Sequence, residues 1–162
     1  MSSIKPENTV ENWYVEATHP LPNLPSIDEA YIKLASPSKW IEWRSSDFAK
    51  GKNTALDGAK EPFKQSNKNQ VKLGPITITI EYTEVTKTSD ELIIDTIGTA
   101  FFGFMKSRLR FHIYKDLQTG KFVGKAQENP TSMKWIFPSP KKIEMEHVTM
   151  FKELDALCAI NE

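Results

Sequence analysis

The sequence predicts an α+β domain: an open antiparallel sheet of about seven strands with one long helix packed across it. Three observations lead there. Residues 139–160 carry Ile143, Met150, Phe151, Leu154, Leu157 and Cys158 at three- and four-residue spacings, with Lys142, Glu144, Glu146, Lys152, Glu153 and Asp155 on the other side, the pattern of an amphipathic helix. Ile76, Ile78, Ile80 and Tyr82 alternate with Thr77, Thr79, Glu81 and Thr83, and Leu109, Phe111 and Ile113 with Arg108, Arg110, His112 and Tyr114, as in strands with one wet face. A sheet with an apolar face needs a cover, and the terminal helix, roughly 30 Å long at about 1.5 Å per residue, is the one element long enough.

In chain order, residues 1–11 are expected to be a flexible lead-in and 12–162 a single domain. Trp13, Val15 and Ala17 alternate with Tyr14, Glu16 and Thr18 as a first strand, ended by His19 and the prolines Pro20, Pro22 and Pro25. Ser26-Ile27-Asp28-Glu29 forms a capping box for a helix whose apolar side is Ile27, Ala30, Tyr31 and Leu34. Ser36-Pro37 closes that helix and starts a second short one bearing Trp40, Ile41 and Trp43. Between Arg44 and Lys72 the pattern weakens. Short strands are expected at 47–49 and 62–65, with a polar turn at 66–70. After the strand at 76–83, a turn at 87–90 leads into a strand over 91–105, where Gly98 and Gly103 mark bulges. Gln118-Thr119-Gly120 turns the next strand into a hairpin partner at 121–127, and Asn129-Pro130 closes the sheet. Ser139-Pro140, cap then first-turn proline, opens the final helix.

Composition removes several classes of function. Lys plus Arg equals Asp plus Glu at 21 each, so no net field recruits nucleic acid or an anionic membrane. The lone cysteine, Cys158, excludes an intrachain disulfide and a cysteine-based zinc site, and reads as a small core residue. Met1–Thr9 is polar and the longest apolar run, 100–105, is too short to span a bilayer, so a cytoplasmic protein without membrane insertion is expected. There is no His-Glu-x-x-His, Cys-x-x-Cys or Gly-x-Ser-x-Gly, and Gly120–Lys125 is one residue short of a phosphate loop and lies in a hairpin. No metal and no cofactor is expected, and both monomer and homodimer stay open.

The order of elements, with Leu34-Ala35-Ser36-Pro37-Ser38-Lys39-Trp40-Ile41-Glu42-Trp43 at the helix pair, resembles the START-like helix-grip (SRPBCC) superfamily, which includes the polyketide cyclase/dehydrase and lipid-transport groups. The resemblance covers about residues 12 to 160. The proline-rich link at 20–25 and Trp135-Ile136-Phe137 depart from the commoner bacterial pattern. The resemblance implies a curved sheet gripping the C-terminal helix and a pocket between them for a small apolar or amphipathic molecule. It does not imply catalysis.

Strand phase then nominates the residues that reach such a pocket. Ile76, Ile78, Ile80 and Tyr82, with Leu109, Phe111 and Ile113, form the inward set. On the strand over 91–105, Ile93, Asp95 and Ile97 share one phase and Leu92, Ile94 and Thr96 the other, so either Asp95 faces inward or a bulge shifts the register. His147, one turn after Ile143 and one before Phe151, aims an imidazole at whatever the helix covers. Tyr82, Asp95 and His147 are therefore candidate catalytic groups: imidazole and carboxylate as a general base, and tyrosine as donor to a developing enolate in a cyclisation or dehydration. The plainer alternative is a tyrosine with its hydroxyl in water and a structural helix histidine. Candidate ligand-binding residues are Trp40, Trp43, Phe63, Ile78, Ile80, Phe111, Met150 and Phe151, with Phe101, Phe102 and Phe104 as wall or mouth; core packing explains many of these aromatics equally well. Arg108, Arg110 and His112 are out of phase with the apolar set and belong on the outer face, though such a trio can also clamp an acidic head group. Three functions follow: small-molecule binding, a cofactor-free cyclase, dehydratase or isomerase in the same pocket, or a chaperone-activator-like interaction module using the apolar run 100–105.

Overall fold

The computed structural model describes residues 12–132 and 134–160. Strands β1 (Val15–Leu21), β2 (Lys52–Ala55), β3 (Lys68–Leu73), β4 (Ile76–Lys87), β5 (Glu91–Ala100), β6 (Met105–Lys115) and β7 (Phe122–Ser132) make one antiparallel sheet in the order β1-β7-β6-β5-β4-β3-β2. Helix α1 (Ile27–Leu34) and a 3₁₀ helix at Pro37–Glu42 follow β1, and helix α2 (Pro140–Ile160) closes the chain. This is the helix-grip form of an α+β fold. The expected lead-in, 1–11, lies outside the described residues.

The capping signals act where the sequence places them. Ser26 Oγ accepts from the Glu29 amide (3.3 Å) to start α1, and Ser139 Oγ accepts from the Lys142 amide (3.4 Å) to start α2. Two acidic side chains then clamp α2 to the loops around it. Asp155 accepts from the Asn23 backbone and side-chain amides (2.8 and 2.9 Å), and Glu153 from the Ser45 amide and hydroxyl (2.8 and 3.1 Å).

Several boundaries differ from the sequence reading. The strand expected at 47–49 is a 3₁₀ turn, Asp47–Lys50, with Ser46 Oγ accepting from the Phe48 amide (3.2 Å). The strand expected at 62–65 is loop, and the pairing strands of this region are β2 and β3. Beside the fully buried Val71, their core-facing residues include a polar pair: Asn69, fully buried, donates from Nδ2 to Asn53 Oδ1 (3.1 Å). An amide pair fills the place where alternation would show an apolar residue. The bulge also falls elsewhere, between Tyr82 and Glu84 against β5, while Gly98 pairs regularly with Ile80. Thr83 is the extra residue, so Tyr82 and Val85 both end on the inner side despite their odd spacing. Phe101, Phe102 and Gly103 turn the chain at left-handed φ (51°, 58° and 88°), dividing the single strand expected over 91–105. β7 continues through Pro130 to Ser132; among the described residues β1 pairs no further than Glu128, so Pro130 takes no ladder partner from β1 there.

The core lies between α2, α1 and the concave face of the sheet, with Leu21, Leu34, Phe63, Leu92, Ile113, Phe151 and Leu154 essentially sealed from water. Phe151 sits directly on Gly124 of β7. A Cβ built at Gly124 would lie 2.6 Å from Phe151 Cε1 and 2.7 Å from Cδ1, inside van der Waals contact. Gly124→Ala is therefore expected to lower stability by about 1–3 kcal/mol through overpacking. In a Phe151→Leu background the same change should cost clearly less, because the two residues share one contact. Urea denaturation of the four proteins checks this, and additive effects would refute the contact.

Candidate functional site: an apolar cavity under the long helix

Two inward rows of the sheet form the floor of a cavity. Register aligns Glu128, Leu109, Thr96 and Tyr82 across β7, β6, β5 and β4, and beside them Pro130, Ser107, Gly98 and Ile80. The second row is short of side-chain volume, since Gly98 contributes none and Ser107 little. Ile143 and His147 of α2 roof the space; Leu34, Trp40, Arg44 and Phe48 wall one side, and Phe137 and Pro138 the other. The cavity is partly open to solvent and its volume is about 280 Å³, just under the usual range of ligand pockets. A second depression, about 560 Å³, lies over Glu91, His112 and Lys115 on the outer face, where His112 already meets Glu91 (2.9 Å) and Lys115 meets Asp90 (3.4 Å). It is a wet surface with paired charges.

Some polar side chains of the inner cavity are satisfied, the Thr96 and Thr99 hydroxyls donating to the Leu109 and Thr79 carbonyls (3.2 and 3.5 Å), and others are not. Five buried side-chain atoms lack a hydrogen-bond partner among the described residues, and three of them, Arg44 Nε, Ser107 Oγ and His147 Nε2, belong to its lining. His147 Nε2 does lie 3.2 Å from Glu128 Oε1, but without hydrogen-bond alignment. Both side chains are largely buried, at 8% and 16% exposure, so a carboxylate and an imidazole meet in a mostly dry space. Phe111 stands edge-on to the imidazole, ring centroids 6.3 Å apart. Glu128 escaped the sequence reading, which ended the hairpin partner at 127. The signal was present: Phe122, Gly124, Ala126 and Glu128 share the inward phase.

Tyr82 also lines the cavity, its ring packed against Phe63 (5.2 Å between centroids). Burial, and after it the neighbouring Glu61 and Tyr31, pushes its phenol well above the ordinary tyrosine value, so it remains a proton donor. Tyr82 and Glu128 stand three strand spacings apart, roughly 14 Å at about 4.8 Å each. They occupy opposite ends of the floor, with room for a ligand between them.

Asp95 is elsewhere. β5 turns Leu92, Ile94, Thr96, Gly98 and Ala100 inward with no bulge of its own, which leaves Asp95 on the outer face. There it is 3% exposed and receives Arg108 Nε (3.0 Å) and Nη2 (2.7 Å) and Arg110 Nε (3.0 Å) and Nη2 (2.9 Å). The Trp13 ring covers both guanidinium groups, at 4.9 and 5.8 Å. Pairing Asp95 with His147 across the sheet is thereby corrected: the carboxylate facing His147 is Glu128. Arg108 and Arg110 stand on the outer face with Asp95 between them.

Of the other nominated residues, Trp40, Ile78, Ile80 and Phe111 line the cavity. Trp43, Phe63, Met150 and Phe151 do not. Phe63, Met150 and Phe151 are solid core, and Trp43 packs half-buried against it. The helical half carrying Met150 and Phe151 presses on small residues of β7, so no space opens beneath it. Phe101, Phe102 and Phe104, at 48%, 105% and 69% exposure, project from the β5–β6 turn near the cavity's edge rather than forming its wall.

The chain is thus a helix-grip protein with a partly polar internal cavity. Three solved structures are similar to it: hypothetical protein jhp0584 from Helicobacter pylori (TM-score 0.73, 12% identity, covering 89% of this chain and 86% of that one), DynU16 from the dynemicin biosynthetic locus (0.58, 12%, 94% and 49%) and Ara h 8.0201 (0.53, 12%, 89% and 94%). At such identity the likeness is one of fold, and this chain spans about half of DynU16. No family model and no curated protein sequence matches the chain. No helix among the described residues is long and apolar enough to cross a membrane.

The raised Tyr82 phenol gives a signed pH dependence. The fold keeps a proton that the unfolded tyrosine releases near the ordinary value of about 10. Its contribution is complete below that value and is lost as pH rises past it toward the folded pKa. Between about pH 9 and about pH 12, wild type should therefore lose urea stability more steeply than Tyr82→Phe, with Tyr31 and the lysines common to both. Parallel slopes would show that the phenol is not desolvated.

Proposed function

We propose that the protein binds a small apolar or amphipathic organic molecule in the cavity between the sheet and α2. One observation carries this reading: walls built mainly from Ile78, Ile80, Leu109, Phe111 and Ile143 enclose unpartnered polar atoms of Arg44, Ser107 and His147. Buried polar atoms are normally satisfied, so a cluster of exceptions around one void is what a site awaiting a ligand's polar groups presents. A passive core would have filled the void or omitted the polar atoms.

A second reading is favoured by the His147–Glu128 pair: a cofactor-free cyclase, dehydratase or isomerase, the chemistry of the polyketide cyclase/dehydrase group. Here His147 takes a proton from a bound carbonyl compound, Glu128 steadies the imidazolium, and Tyr82, at the other end of the floor, donates to the developing oxyanion. A lipid carrier would need the cavity but none of these three groups. The interaction-module reading draws on the exposed phenylalanines at 101, 102 and 104 alone, which make one turn rather than a broad patch.

Native mass spectrometry of the purified protein tests the binding reading by revealing a copurified small molecule. Titration with the neutral probe N-phenyl-1-naphthylamine tests it independently. Gly98→Leu should abolish probe binding: a Cβ there meets only Ile78 Cγ2 at an ordinary 3.5 Å, so the larger side chain fits the strand and fills the cavity. Undiminished binding by this variant would place the probe elsewhere. His147→Phe separates carrier from catalyst. A carrier keeps or gains affinity, whereas a catalyst still binds and loses turnover of the identified compound by roughly 100- to 10,000-fold.

A further inference from the structure

Arg44 brings a guanidinium to the cavity wall, and among the described residues that guanidinium makes no hydrogen bond and no ion pair. Its Nε is shut off from solvent with no acceptor, although the residue as a whole is only half-buried. The Trp40 ring lies 4.5 Å from Cζ. That contact attracts the cation but leaves the in-plane N–H groups without acceptors. Trp40 is itself fixed, donating from Nε1 to the Lys33 carbonyl (2.9 Å), so the guanidinium rests on a rigid platform.

The acidic groups facing Arg44 are Glu153 and Glu146. Glu153 is committed to the Ser45 amide and hydroxyl, and Glu146 stands exposed on α2 at the cavity rim; neither forms an ion pair with Arg44. Desolvation lowers the Arg44 pKa to about 10, with the two glutamates acting the other way, so the group stays cationic near neutral pH. A desolvated cation without a counter-ion is unfavourable, and among the described residues the cavity's own carboxylates supply none: Glu128 faces His147 (3.2 Å) and Glu146 forms no ion pair with Arg44. The neighbouring Ser46 Oγ also lines the cavity; it accepts from the Phe48 amide and keeps its own proton free to donate.

We infer that the molecule held in this cavity carries a carboxylate, for which Arg44 is the counter-ion and Ser46 a second donor, with an apolar body lying along Ile78, Ile80 and Leu109. The planar fork of guanidinium donors matches a carboxylate in two parallel hydrogen bonds, and the shared charge makes both strong. The small volume selects a compact acid. This assignment rests on the binding function proposed above and adds the ligand's chemical class to it.

The test compares decanoate with decan-1-ol, of equal chain length and without the charge, as competitors of N-phenyl-1-naphthylamine at neutral pH. Wild type should prefer decanoate by roughly 10- to 100-fold, the worth of hydrogen bonds to a charged group. Arg44→Met and Arg44→Gln should lose that preference, their affinity for decanoate falling to no more than their own affinity for decan-1-ol. Arg44→Lys should recover only part of it, lacking the planar fork, and Ser46→Ala should reduce it by a smaller factor. Equal affinity of wild type for the two competitors, or a preference that survives in both Arg44→Met and Arg44→Gln, overturns the carboxylate assignment. If the naphthylamine and decan-1-ol bind without preference for decanoate, this inference alone falls. If no probe binds wild type at all, the binding function falls and takes the inference with it.

Discussion

The seat of Phe151 on Gly124 is the contact on which the arrangement depends. An aromatic ring can approach a strand backbone this closely only where no Cβ intervenes, and Gly124 supplies that gap. With Ala126 and Ala17 beside it on the inner face, the glycine lets the C-terminal half of α2 lie tight against β7 and β1. The other half then passes over strands whose inner residues are Thr96, Gly98, Ser107 and Leu109. The helix cannot close on both regions at once, and a void remains where the floor is deepest.

Charge is divided between the two faces by the same constraint. A carboxylate removed from water needs donors, and Asp95 obtains four short hydrogen bonds from Arg108 and Arg110 on the outer face, where solvent and Trp13 share the guanidinium groups. The inner face is provided far more sparsely. Among the described residues, Glu128 meets an imidazole there and Arg44 an aromatic ring, with no hydrogen-bond acceptor for its Nε. In the outer cluster the buried carboxylate is fully provided with donors. The inner groups are incomplete, and the ligand proposed above would complete them.

The sequence by itself determined the architecture. Alternation at 76–83 and 108–114, the caps at Ser26 and Ser139 and the spacing of apolar residues along 143–158 depend on local periods and local hydrogen bonds, and these survive into the structure. The outer position of Arg108 and Arg110 followed from the same arithmetic. β3 was hidden because an amide, Asn69, takes one of its two buried places and leaves Val71 as the other, and the Thr83 bulge because a bulge leaves no compositional mark here. Only the tertiary structure decided which phase of β5 faces inward. Both phases are apolar there, and period two groups residues by face without saying which face the helix covers. Tertiary structure alone also decided that Glu128 meets His147, that Arg44 Nε is buried with no acceptor among the described residues, and that a void exists. Each depends on the distance between elements far apart in the chain, and a cavity is a difference between volumes that no single segment encodes.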